Sequence, residues 1–384
     1  MGRGAHRRRR GRRCRRCRRG GGPVRLGWWE DSPTTHRSLR EAMTSALTRT
    51  VDVDEDTGVP PVLSLPRLAD GVVEHGMTAL GAAMGQIPLH PTPRGWELDA
   101  HASLLFRRAR GHLRELLDLT GEMLGEGRLG EGGRVMVHVP GPWTVGAQVE
   151  YRGRPVVADR PAFRDTALTL AAGVADVRRT VAGLVGPGCG VLVAVHEPAL
   201  PAVVAGLPGP TRWDGVDPVD RGVVAAVLRR FLGTVGSGGT VGSGDAGEVT
   251  TVLDPGAVDP AVLTTLGEAG AGRLVVPEAT VATTAGADAV GALIGDGQGI
   301  GWAVDPAGRA VADADDVARA LIRQWDRWTF APGDLTSTVD LVVAGPRGSA
   351  RGVGDGRAVA GRTPAEAAEA AALVRTAAAL LHRN

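Results

Sequence analysis

Val135-Met136-Val137-His138-Val139-Pro140-Gly141-Pro142-Trp143-Thr144 is an apolar run that stops at proline, glycine and polar residues, and the pattern recurs at Val191-Leu192-Val193-Ala194-Val195-His196-Glu197-Pro198-Ala199-Leu200-Pro201. A strand covered on both faces reads as a short, near-continuous apolar run, which is the signature of a parallel sheet. An abrupt polar stop marks its C-terminal end. In a barrel of parallel strands that end carries the chemistry.

Working outward, similar runs occupy 249–253, 273–276, 300–304 and 339–344. Weaker ones at Val24-Arg25-Leu26 and Gly95-Trp96-Glu97-Leu98 bring the expected strands to eight. Helical spacing is expected near 34–48, 67–85, 100–124, 161–184, 217–232, 258–269, 284–294, 313–328 and 363–382, with Asp52–Pro66 as a loop. In the 100–124 segment Leu104, Leu105, Leu113, Leu116 and Leu117 fall near one helical face. Strand–helix alternation points to a parallel sheet with helical crossovers, and eight units favour a closed barrel. The fold class is therefore α/β, a single (β/α)8 TIM-type barrel over residues 23–384, preceded by a basic tail over 1–22.

Charge separates tail from body. Residues 1–19 contain eleven arginines and no acid, so the remainder of the 384-residue chain carries a net charge of −9. An acidic body argues against nucleic-acid binding there. Clustered like charge followed by Gly20-Gly21-Gly22 predicts a disordered tail. The tail reads as a tether to nucleic acid or an anionic surface, or as a solvated segment or a start assigned too far upstream; without interleaved aromatic or apolar residues the latter pair of readings is preferred. All 44 basic residues are arginine. Cys14-x-x-Cys17 in the tail has only His6 as a further ligand, and Cys189 stands alone, so neither a structural zinc site nor a disulfide framework is expected. The apolar stretches are too short for a membrane span, and no apolar segment follows the twin arginines, which leaves the cytoplasm as the expected location. Gly233–Gly247 repeats Gly-Thr-Val-Gly-Ser-Gly, but no Gly-Lys-Ser/Thr follows; it reads as an inert helix-to-strand loop.

Successive expected strands end in His138-Val139-Pro140, His196-Glu197-Pro198, Leu253-Asp254-Pro255, Pro277-Glu278, Val304-Asp305-Pro306 and Gly345-Pro346-Arg347. Any one of these is adequately explained as a turn. Six at one face predict a site, with His196, Glu197, Asp254, Glu278 and Arg347 clustered at the mouth and Trp143 on its rim. His196 and Glu197 are the candidate catalytic residues.

In content and order, the segment 135–207 resembles the catalytic barrel of the cobalamin-independent methionine synthase family, particularly its short single-barrel relatives. The matching residues are Gly141-Pro142-Trp143-Thr144, Arg164-Asp165, and Glu197-Pro198-Ala199-Leu200-Pro201-Ala202 with Gly206 following. The resemblance implies transfer of a methyl group from a methylated folate to homocysteine, with zinc activating the thiol. It also implies substrate contacts at Gly27 and Trp28 on the first strand, at Trp143, and at Arg347.

The departures matter as much. His196 stands where the family has the aspartate that holds the substrate ammonium. Val252 and Asp254 stand in place of a His-x-Cys ligand pair, and Arg347 in place of the last cysteine. Glu278 matches the glutamate ligand, so Asp254 and Glu278 are residual metal positions at which zinc is not expected. No cofactor is assigned. A general base at His196 could substitute for the zinc-activated thiol, at a typical ~10²–10⁴-fold. Three readings follow: a diverged methionine-synthase-like methyltransferase with weak or no metal-dependent activity; a non-catalytic barrel binding a ligand or partner; and a metal-independent lyase or decarboxylase using His196, Glu278 and Arg347 on an anionic substrate.

Overall fold

Short runs, most of them rich in valine and leucine and mostly buried, form eight parallel strands: β1 (Trp28–Glu30), β2 (Val62–Ser64), β3 (Arg134–Pro140), β4 (Gly190–His196), β5 (Thr251–Asp254), β6 (Arg273–Pro277), β7 (Gly299–Val304) and β8 (Val339–Val343). The computed structural model describes residues 26–51, 62–69, 76–209, 214–236, 251–345 and 361–383. The strands run in the order β1-β8-β7-β6-β5-β4-β3-β2, and every ladder is parallel. Between β2 and β1 the ring is drawn together by Ser64 Oγ donating to Glu30 O at 2.6 Å and by a short parallel bridge between Thr34 and Leu68. The fold is thus the α/β barrel read from the sequence.

Two of the eight strands are not the expected ones. β1 begins at Trp28, whereas the expected 24–26 segment lies mostly outside the described residues and its last member, Leu26, precedes the strand. β2 falls inside the expected 52–66 loop. Gly95–Leu98 is a strand, but it pairs antiparallel with Leu89–Thr92 and parallel with Val149–Tyr151 in a separate four-stranded sheet. The helix expected over 67–85 is shorter, Met77–Met84.

Two apolar layers hold the barrel. Leu26, Trp29, Met136, Leu192, Ala194, Val252, Val275, Ala303 and Val342 are among those filling its interior. Alternate strand residues, Trp28 and Leu253 among them, point out against the helices. With aromatics at 3% of the chain, the interior leans on one large ring, that of Trp29. Gly301 makes room for it: a Cβ there would lie 2.9 Å from the ring. Helices start at side-chain caps that satisfy free N–H groups, Ser38, Ser103, Asp159 and Thr283 among them.

The N-terminal end of the barrel is locked by charge. Asp340 on β8 accepts from Leu26 N and Gly27 N at 3.0 and 2.8 Å, and its other oxygen pairs with Arg273 Nε at 2.6 Å. Among the described residues no helix is long and apolar enough to cross a membrane. The tail 1–22, Arg347 and most of the glycine repeat (237–250) lie outside the described residues.

Candidate active site

Strand residues alternate between faces with a period of two. Trp29, Met136, Ala194 and Val252 face the barrel interior. Two residues further on, that same face carries Asp31, His138, His196 and Asp254, at or just past the C-terminal ends of β1, β3, β4 and β5. These four side chains meet. His138 Nδ1 lies 2.9 Å from His196 Nε2, with the ring centroids 5.2 Å apart and the planes at 26°, so the two nitrogens face each other end to end. Asp31 Oδ1 lies 3.7 Å from His138 Nδ1 and 3.5 Å from His196 Nε2. On the far side of the imidazole, His196 Nδ1 faces Asp254 Oδ2 at 3.3 Å.

Relative exposures of 8% for Asp31, 4% for His138 and 5% for His196 place the cluster beneath the mouth, with the half-buried Asp254 at its solvent edge. Arg67 reaches across the β1–β2 seam to Asp31 Oδ1 at 2.6 Å. Burial pushes the Asp31 carboxyl above its ordinary range, against the pull of His196 and Arg67, while the nearby Asp254 adds to the rise. Burial, with Arg67 and His196 close by, holds His138 well below the usual histidine range, so its imidazole is neutral. Around this core, Arg49 grips Glu30 through two bonds of 2.9 and 2.8 Å. Arg362 donates to Ala344 O at 2.6 Å and to Ser32 Oγ.

The remaining sequence candidates lie elsewhere. Gly27 and Trp28 are at the opposite, N-terminal end of β1, Gly27 on Asp340 and Trp28 turned outward into the helical layer. The displaced strand assignment explains that correction: the C-terminal end of β1 presents Glu30 and Asp31. Glu197 follows His196 and so faces the other way. Fully buried, it accepts from Trp143 N at 3.0 Å, Thr144 N at 2.6 Å and Thr144 Oγ at 2.7 Å, which makes it a brace for the helix Pro142–Gln148. Burial lifts its carboxyl to about 7 despite these three donors. Trp143 is not on a rim; its ring is buried against Phe163 at 4.6 Å. Glu278 sits at the end of β6 and is engaged by Arg309 Nη1 at 2.8 Å and by Asp305 N at 3.0 Å. Arg347 lies outside the described residues. Cys189 precedes β4, at the barrel's other end.

Asp31 and Arg67 went unrecognised in the sequence. The signal for Asp31 was present, since Trp28-Trp29-Glu30-Asp31 ends in acids as the later strands do. Arg67 carries no local signal.

Zinc at the positions implied by the resemblance does not fit. Val252 is core, Glu278 is paired with Arg309, and Asp254 is turned to His196. Asp31, His138 and His196 do form a group able to hold a metal, with one ligand atom each and all within 4.8 Å of one another.

No protein-family model and no curated protein matches this chain. Among solved structures, it is similar over 95% of its length to a methyltransferase from Methanosarcina mazei, of which 94% is covered, with TM-score 0.49 and 13% identity. Over 90% of its length it is similar to a candidate vitamin-B12-independent methionine synthase from Listeria monocytogenes, of which 95% is covered, with TM-score 0.42 and 10% identity.

Proposed function

We propose that this barrel is a methyltransferase-like enzyme that activates a small nucleophile at the Asp31–His138–His196–Asp254 cluster. One observation carries the reading: His196 is held between a carboxylate on Nδ1 and a second imidazole on Nε2, beneath the C-terminal mouth of a (β/α)8 barrel. A carboxylate at one imidazole nitrogen fixes tautomer and orientation and leaves the other to handle a proton. With His196 Nδ1–H on Asp254, the lone pair is on Nε2; His138 Nδ1–H occupies it at rest and must turn away before Nε2 takes a proton from substrate.

The reaction suggested by the sequence resemblance is methyl transfer from a methylated folate to homocysteine. A thiol with an ordinary pKa of about 8.5 is mostly protonated at neutral pH. As sulfur attacks the methyl carbon, the methyl–nitrogen bond of the folate breaks, and the proton removed from the thiol is returned to that nitrogen; a base in this role typically contributes ~10²–10⁴-fold. Methionine formation from methyltetrahydrofolate and homocysteine by the purified chain tests this, with His196→Ala expected to be slower by that factor while retaining its circular dichroism. An inert wild-type protein would remove the reading.

A second reading, a lyase or decarboxylase acting on an anionic substrate, is favoured by Arg362. This guanidinium is half-buried at the β1–β8 end, and its hydrogen bonds include those to the neutral oxygens of Ser32 and Ala344. Carboxylate substrates protecting the protein against heat, with no methyl transfer, would select it.

A further inference from the structure

We propose that Asp31, His138 and His196 bind one divalent transition-metal ion, with zinc the best match to the donors. The inference deepens the reading above by assigning a cofactor to the same cluster; with the ion on His196 Nε2, the ion rather than that nitrogen would activate the nucleophile. The argument is first geometric. The three atoms Asp31 Oδ1, His138 Nδ1 and His196 Nε2 form a triangle with sides of 2.9, 3.5 and 3.7 Å. The point equidistant from them lies about 2.0 Å from each, the length of a zinc bond to imidazole nitrogen or carboxylate oxygen. The donor separations therefore suit an ion, and the two imidazoles, whose nitrogens face each other end to end, would turn toward it on binding.

The donor set agrees. Two imidazoles and one carboxylate suit a borderline ion such as zinc better than magnesium or calcium, which prefer oxygen shells. Three protein ligands with further positions left open describe a catalytic rather than a structural zinc site.

The surroundings supply a third argument. A metal-bound histidine usually donates its other ring N–H to a carboxylate, which fixes the ring and raises its basicity. Asp254 stands at that place, 3.3 Å from His196 Nδ1. Arg67 donates to the same Asp31 oxygen, but a carboxylate oxygen carries two lone pairs and can serve a guanidinium and a metal together. Two carboxylates, Asp31 and Asp254, meet one guanidinium, Arg67, at the cluster, an acidic setting that a dication complements. The ligands sit on β1, β3 and β4, across the barrel from the β5, β6 and β8 positions that the family resemblance implies.

The test uses the full chain, stripped with chelator and then titrated with zinc, and separately with cobalt(II) as a spectroscopic probe. Expected are one zinc per chain, visible cobalt bands of a low-coordinate site that zinc abolishes, and a zinc-dependent rise in the unfolding temperature. Asp31→Asn, His138→Ala and His196→Ala should each weaken zinc binding at least 100-fold. Asp254→Asn should keep the stoichiometry and weaken binding about 10- to 100-fold. Glu278→Gln should bind as wild type does. Wild type without stoichiometric zinc, or without a thermal shift on adding it, overturns the inference, and so does unchanged affinity in folded His138→Ala and His196→Ala. Zinc binding without methyl transfer would sink only the proposed reaction. Methyl transfer that persists in metal-free protein would sink only the metal.

Discussion

The carboxylate of Glu197 fills the space that a side chain on Gly141 would need. Gly141 N also donates to His196 O at 2.7 Å, and the two residues beyond Pro142 give their N–H groups to Glu197. The two motifs that carry the family resemblance are therefore two halves of one joint between the ends of β3 and β4. That joint sets the depth of His138 and His196 without touching the space between them.

Gly141→Ala should cost about 2–4 kcal/mol of stability, because overfilling a packed site costs 1–3 kcal/mol and the displaced carboxylate loses donors. Chemical denaturation measures it. A loss under 0.5 kcal/mol would show that Glu197 can swing aside.

Glu197 also makes a pH prediction. Its carboxyl is raised in the fold to about 7 from an ordinary 4.5. Stability from this group is fully present below the unfolded value and is lost as pH rises through the folded one. Between pH 4.5 and 7 the loss amounts to something on the order of 3 kcal/mol. Unfolding of wild type and Glu197→Gln at pH 5 and pH 8 checks it: the stability difference between the two proteins should shift by that order in favour of the variant at pH 8. A pH-independent difference would mean that the three donors keep the carboxylate ionised throughout.

Asp340→Ala should be strongly destabilising, by about 3–5 kcal/mol, since it removes the carboxylate paired with the buried Arg273 and two backbone contacts to Leu26 and Gly27. Its position at the closed end of the barrel separates this effect from chemistry at the mouth. In protein that remains folded, substrate and metal affinities should stay within twofold of wild type.

Glu278→Gln should change stability by no more than about 1 kcal/mol, the range for a partly exposed ion pair such as the one with Arg309. Thermal unfolding reads this directly. A larger loss would give Glu278 a structural role beyond that pair.

How far the sequence could be read follows from strand length and facing. β3 and β4, seven residues each, show enough apolar pattern to be placed to within a residue. Counting by twos from Met136 or Ala194 then brings His138 and His196 to the inside. The same count turns Glu197 outward, which a list of strand-end residues overlooks. β1 and β2 have three residues each, too few to show a period. Trp28 was legible as a residue at the first strand, but a strand placed four residues early set it at the wrong end and hid Asp31. Gly95–Leu98 was legible as a strand; what it pairs with is decided by its hairpin partner, Leu89–Thr92, which four residues alone do not reveal.

The ring of strands joins the first to the last, so Leu26 and Gly27 are held by Asp340 over a separation of more than 300 residues. During synthesis β1 leaves the ribosome first and pairs last. Until Val339–Val343 emerges, Trp29 has no β8 beside it, and Asp31 has its contact with Arg67 but not the β1–β8 ladder to hold it opposite the two histidines. The cluster accordingly cannot be complete before β8 is made. When the protein is stressed, opening of this one seam would dismantle the cluster while β3 to β7 still hold together. Activity should then disappear before helical structure does, and a ligand that spans Asp31 and His196 should act as a clasp on the whole barrel.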